Sequence, residues 1–522
     1  MDPGAHGRAD RLAGPLLTNN PLDTLKDGLK NRLDARAAGD GPRPRFRPAD
    51  GTELDPRLPQ NRLTHGQSAK RQRGPGPIAR LVDAWWNRLL SSVYEGKVFD
   101  QEAEYGAGET ARDYLWNTVG VGIWGMVFPI LTIVATQLAG TEQAGMFSMA
   151  FVTGTLLMIV ANYGVRTFQV SDIDERSSFA SYQLQRWVTS ALALVAGVLY
   201  CALRGYDPAM VTLSMGVYVA KIVDGLADVY EGRLQQADKL YLAGISQALR
   251  AGAAIAAFSV LLLVTRSLAV AGVAMGVASM ATLVLVTVPL AFFETDKSGP
   301  WKMGEVTGLF RHCLPLFSTL FLFNFIESMP KFAMESMLPY DNQLYFNALF
   351  FPAQGILLAA GFIYKPQLLR LANIWANPKR RRRFDLIVLA MLAVIVALTM
   401  GTLAFMGWIG VSLMGILYGV DFEPYRALAY VMVCAGGVTA AIDFLYAIVT
   451  VLRHQDSATK PYLITFGFSL FVPVMLIMLT GLPGAVASYL IVMVILLVLL
   501  GGEYIGIRRG IAERAKNPFA RR

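Results

Sequence analysis

Residues 221–240 read KIVDGLADVYEGRLQQADKL. They follow the apolar run PAMVTLSMGVYVA (208–220) and lead into another that begins YLAGISQAL (241–249). On a helix, Lys221, Asp224, Asp228, Glu231 and Gln235 fall within about 80° of one another. The opposite side offers Ile222, Val223, Leu226, Val229 and Tyr230. An Asp or Lys at the centre of a bilayer costs about 2.5–3.5 kcal/mol, so three on a lipid-facing side would cost on the order of 8–10 kcal/mol. The cheaper arrangement turns the charged face into a water-filled cavity or a protein interior. Lys221 and Asp224, three residues apart, also permit a local ion pair. The alternative ends the span near Asp224 and leaves the rest as solvated loop. We assign Lys221 and Asp224 to the cavity and Glu231 to the water outside it, with Asp228 open between the two.

The surroundings support a membrane setting. The chain of 522 residues is 54% hydrophobic and only 16% charged, whereas a soluble domain has roughly 45–50% apolar and about 25% charged residues. Some twelve segments are long and apolar enough to span, near 114–138, 144–165, 186–203, 208–229, 240–264, 267–293, 311–332, 343–365, 384–412, 427–451, 461–480 and 483–506. Only TRS separates the fifth from the sixth and TGLPG the last two, as expected of tight helical hairpins. The expected fold is an all-α polytopic membrane protein of about twelve transmembrane helices.

The net charge of +9 is explained by where the bases lie. Loops after even-numbered spans and the C-terminal tail hold roughly 23 Lys and Arg, Arg186 among them, against 4 in the opposite loops, which predicts that both termini face the cytoplasm. The KRRRR run at 379–383 reads as a stop signal at the membrane surface. Nucleic acid is not an expected partner. The three cysteines sit in apolar runs without CxxC spacing, and the four histidines are scattered, so neither metal nor cofactor is expected.

Residues 1–77 are rich in Gly, Pro, Arg and Asp and read as a disordered cytoplasmic tail. Residues 78–113 carry an amphipathic stretch, IARLVDAWWNRLLSSV, which fits an interfacial helix or a surface helix on the main body, followed by a linker. The polar loop ETDKSGPWKMGEVTG divides the spans six and six: an N-lobe at 114–293, a linker at 294–310, a C-lobe at 311–506 and a basic tail at 507–522. Two six-helix halves around a central site are a common transporter plan.

Further ionisable residues sit in apolar settings: Arg166, Arg250, Glu327, Lys331 and Asp443, the last with Tyr446 three residues on. Each fits half of a helix–helix ion pair at least as well as a substrate contact. Collectively, buried charges of both signs in both halves favour a polar central cavity. Cations there suit an anionic substrate such as a phosphate or pyrophosphate, and the acids suit coupling to a proton or sodium gradient. Pro129, Pro315, Pro330 and Pro352 fall inside spans, as kinks of moving or of static helices alike.

Several stretches resemble one family. LAGTEQAGMFSMAFVTGTLLMIVANYGVRTFQVSDIDE resembles the first hairpin of Wzx-type polysaccharide flippases, members of the multidrug/oligosaccharidyl-lipid/polysaccharide exporter (MOP) superfamily. KIVDGLADVYEGRLQQADKLYLAGISQALR resembles that family's fourth-to-fifth connection, SMPKFAMESMLPYDNQLYFNALFFPAQGILLAAGFIYKPQL its seventh and eighth spans, and LYGVDFEPYR its ninth-to-tenth turn. The resemblance covers about 115–505. It implies two six-helix lobes facing a central cavity, as in MATE transporters. It also implies alternating access and movement of an undecaprenyl-diphosphate-linked oligosaccharide across a bacterial cytoplasmic membrane, among membrane lipids and other polysaccharide assembly proteins. Arg166, Lys221, Arg250 and Lys331 are then the candidates for substrate contact. Asp224, Asp228, Glu327 and Asp443 are those for cation coupling or for positioning the bases. Glu327, where the family pattern leads us to expect a small or amide residue, departs from it, as does the long N-terminal tail.

Three alternatives differ in what they require. A drug/cation antiporter of the same superfamily calls for acids deep in the first span, and the only acid there is Asp113 at its start. A polysaccharide polymerase or ligase calls for a large outer loop, and the loops here are short. An inert scaffold leaves the internal charges without a role. No phosphate-binding loop marks the chain as ATP-driven. The chain is not expected to be an enzyme.

Overall fold

The structure, a computed structural model, describes residues 107–172, 176–376, 380–452 and 455–516. The expected tail at 1–77, most of the segment at 78–113, Lys379 and the last residues of the basic tail lie outside them. Among the described residues all regular structure is helical, and twelve helices are long and apolar enough to span a membrane. In order they are Arg112–Ala139, Thr141–Ser171, Phe179–Arg204, Pro208–Gln236, Leu240–Thr265, Leu268–Glu294, Met303–Met337, Asp341–Tyr364, Arg381–Tyr418, Glu423–Val451, Thr459–Thr480 and Leu482–Arg509. Connections after odd-numbered spans are short and form a hairpin end. Those after even-numbered spans form a basic end.

Local chemistry sets these boundaries. The last hairpin turns at Gly481, whose φ of +67° is left-handed and free of the Cβ penalty. Asp207 caps the fourth span, its carboxylate accepting from the amide of Ala209, with Pro208 in the first turn where no amide is needed. The second span breaks at Tyr163 and Gly164, both left-handed, and resumes as Val165–Ser171. This break carries Arg166 and Gln169 onto the fourth span, where Gln169 donates to the carbonyl of Val229 at 2.9 Å. The sixth span contains a π turn at Leu283–Thr287, just before Pro289, whose missing amide interrupts the regular ladder.

Spans one to six pack chiefly on one another, as do spans seven to twelve. Small residues bring the backbones together: a Cβ on Gly120 of the first span would lie 2.4 Å from the carbonyl oxygen of Gly244 on the fifth. The seventh span starts at Met303 rather than 311, because Val306 and Leu309 are buried and extend the helix into the expected linker. Arg381–Arg383 form the first turn of the ninth span.

Candidate functional site

The fourth span is the backbone of the site. Asp224 accepts from Arg250 Nε at 2.9 Å, from Trp124 Nε1 at 2.9 Å and from Lys221 Nζ at 3.3 Å. Arg250 also donates to Glu231 at 2.7 Å. Glu231 lies 3.9 Å from Arg166, and Arg166 donates to Asp228 at 2.7 Å. The second oxygen of Asp228 takes Arg186 at 3.0 Å. One continuous chain therefore runs Lys221–Asp224–Arg250–Glu231–Arg166–Asp228–Arg186, with four bases and three acids drawn from the second to fifth spans. Trp124 of the first span and, through Ser246, Thr287 of the sixth complete it, with Thr287 delivered by the π turn.

Accessibility sorts the members. The Arg166 side chain is 31% exposed, Asp228 17% and Asp224 13%. Lys221, Arg250, Glu231 and Arg186 are buried, Lys221 over the rings of Phe151 and Trp124. Arg166 is the cation this network presents, and Lys221 and Arg250 hold the acids from behind. Glu231 was expected in water outside the span; at 3% exposure it is instead an interior partner of Arg250, because the helix continues to Gln236. Arg186, counted with the loop cations, is fully buried near the start of the third span.

The C-lobe candidates are spaced differently. The carboxylate of Glu327 is 3.5 Å from the hydroxyl of Tyr489, which also meets Thr439 at 3.0 Å. Asp443, one turn from Thr439 on the tenth span, accepts from the Tyr364 hydroxyl, with Lys365 at 3.9 Å. Lys331 is buried with its ammonium 4.4 Å from the Phe350 ring centroid. Among the described residues, no C-lobe cation is clamped between two acids as Arg250 is.

The lobes meet at both ends, and at the basic end Tyr163 also stacks on Phe317 of the seventh span. Glu335 of the seventh span accepts from Tyr200 at 2.8 Å and from Tyr206, and pairs with Arg204 at 2.9 Å. A Cβ on Gly145 of the second span would stand 1.8 Å from the carbonyl oxygen of Tyr340 at the start of the eighth. At the basic end, Glu305 accepts from Ser178 and Ser181, tying the start of the seventh span to that of the third.

Comparison with protein-family profiles and with curated protein sequences finds no match. Comparison with solved structures does. An inward-facing multidrug resistance transporter of the MATE family, MOP superfamily, superposes with a TM-score of 0.57 at 12% identity, over 77% of this chain and 99% of that one. The MATE multidrug transporter DinF-BH, solved as a complex, gives 0.53 at 12% identity over 78% and 97%. An outward-facing MATE-family transporter gives 0.50 at 13% identity over 80% and 99%. This chain has the MATE fold.

Within that fold, sequence reasoning identified Arg166, Lys221, Asp224, Asp228 and Arg250, and the structure brings these five into one network. Glu327, Lys331 and Asp443 lie in the other lobe. Arg186, Trp124 and Glu335 were not singled out. Arg186 was masked by its position among loop cations. Glu335, in SMPKFAMESMLPY, carried the only available signal, an acid beside the apolar end of a span.

Proposed function

We propose that this chain is a MATE-fold secondary transporter whose cargo is a bulky lipid-linked anion, an undecaprenyl-diphosphate-linked glycan moved from the cytoplasmic to the outer leaflet. The observation that carries this reading is the state of the N-lobe acids. Asp224, Asp228 and Glu231 are each engaged by at least two cationic groups, counting the 3.9 Å approach of Arg166 to Glu231. A cationic drug would find no unengaged carboxylate among these three, whereas the Nε and one terminal nitrogen of Arg166 are held only by the neutral Gln235, at 3.3 and 3.1 Å, so a phosphate oxygen pair can take that edge of the guanidinium over from the amide. Glu327 and Asp443 are the proposed cation-coupling acids, Lys331 a further contact for the cargo, and both termini are assigned to the cytoplasm. The closed hairpin end is assigned to a cytoplasm-facing state, in keeping with the higher score against the inward-facing relative.

The second reading is a MATE-like cation or drug antiporter. It is favoured by the comparisons, since the solved structures named above are multidrug transporters. Deleting the gene separates the two. The glycan reading expects lipid-linked glycan retained on the inner leaflet. Normal surface glycan with heightened sensitivity to lipophilic cations, in a strain without a second flippase, would replace it with the antiporter.

A further inference from the structure

Between the eighth and ninth spans a short helix, Leu368–Ala376, packs on the ninth and tenth, burying Leu371 and Ile374. Trp375 of this helix is flanked by two guanidiniums, Arg381 at 4.9 Å and Arg508 at 5.0 Å from its ring centroid. Arg508 comes from the far end of the twelfth span and is held by Asp385, one turn into the ninth, at 2.5 Å. Arg381 keeps its Nε buried and, among the described residues, without a hydrogen-bond partner. Arg380, Arg382, Arg383 and Arg509 are exposed around it.

A run of arginines at a span end is ordinarily explained by membrane orientation alone. Orientation requires charge; it does not require two spans and a tryptophan to gather guanidiniums in one place, nor an unpartnered donor at the centre. The ninth span begins at Arg381 and the twelfth ends at Arg509, so the cluster stands where hydrocarbon gives way to headgroups. The free amides at the start of the ninth span add positive potential.

From this geometry we propose that the Trp375–Arg381–Arg508 cluster binds the phosphate of an anionic phospholipid headgroup, fastening the C-lobe to the leaflet its basic end faces. The phosphate meets the part-exposed guanidiniums of Arg381 and Arg508, and the exposed arginines supply long-range attraction. The cluster shares no residue with the N-lobe network, so the proposal stands whether the cargo is a glycan lipid or a drug.

The test is native mass spectrometry of the full chain in detergent with equal phosphatidylglycerol and phosphatidylcholine. The wild type is expected to retain phosphatidylglycerol preferentially. The Arg381→Ala/Arg508→Ala double variant should lower that preference by about tenfold. If that variant is poorly folded, Arg382→Ala/Arg383→Ala, which leaves the Trp375 sandwich intact, should lower it in the same direction with unchanged melting in lipid-free detergent. No preference in the wild type, equal preference in the variants, or full displacement of the lipid by millimolar inorganic phosphate would overturn the proposal.

Discussion

Arg204, the last residue of the third span, reaches across the lobes and pairs with Glu335 at 2.9 Å, while Tyr200 and Tyr206 donate to the same carboxylate. Glu335 is only 1% exposed in its side chain, so this charge is stabilised almost entirely by groups of the opposite lobe. Parting the lobes at the hairpin end must break all of these contacts. Glu335→Gln removes the charge and keeps the shape. A hydrogen bond to a charged group contributes about 1.5–3 kcal/mol, so the balance of states should move by roughly tenfold or more toward hairpin-end opening. Spin labels at Glu142 and Thr480, exposed at hairpins of the two lobes, should show a larger long-distance population by pulsed electron resonance. An unchanged distribution would remove Glu335 from the gate.

Gly145 makes the same closure possible by a different means. With a Cβ 1.8 Å from the Tyr340 carbonyl oxygen, Gly145→Ala should wedge the second span off the eighth. The same label pair should then report opening while Glu335 is intact, and transport should fall because the closed state is lost. A variant that transports normally with wild-type distances would show that the seam relaxes around a methyl group.

Asp228 holds a guanidinium on each oxygen, Arg166 on one and Arg186 on the other. Removing one partner from a buried ionic set costs about 3–5 kcal/mol. Asp228→Ala should therefore melt well below the wild type in detergent, whereas Arg166→Ala, which removes the most exposed member, should lose far less stability. Equal melting of the two would mean that the network contributes nothing to holding the N-lobe.

Asp443 and Glu327 are the proposed coupling acids. Asp443→Asn should abolish acceleration of transport by an imposed proton or sodium gradient while leaving cargo binding in place. Full gradient dependence in Asp443→Asn and in Glu327→Gln would move the coupling site elsewhere.

The helices were legible because hydropathy and length suffice to define spans, and the charged face of 221–235 was legible from its periodicity. The partners were not. The side chains of Arg250 and Glu231 meet across 19 positions, and those of Arg166 and Asp228 across 62. Reading Glu231 as solvated failed because a local pattern shows a charge but not the guanidinium on the next helix that neutralises it. Arg186 failed for the complementary reason: a base near a loop looks topological until the third span is seen to begin at Phe179, leaving it inside. Glu335 belongs to a contact between lobes, and periodicity within one span carries no information about that.

The most direct test of glycan-lipid transport uses the purified chain in liposomes carrying an undecaprenyl-diphosphate-linked glycan on one leaflet. The wild type should make the glycan accessible to an impermeant lectin on the opposite side, and Arg166→Ala should slow this by about tenfold or more, the loss expected for one charge-assisted contact to a phosphate. Movement of a lipophilic cation with no movement of the glycan lipid would contradict it.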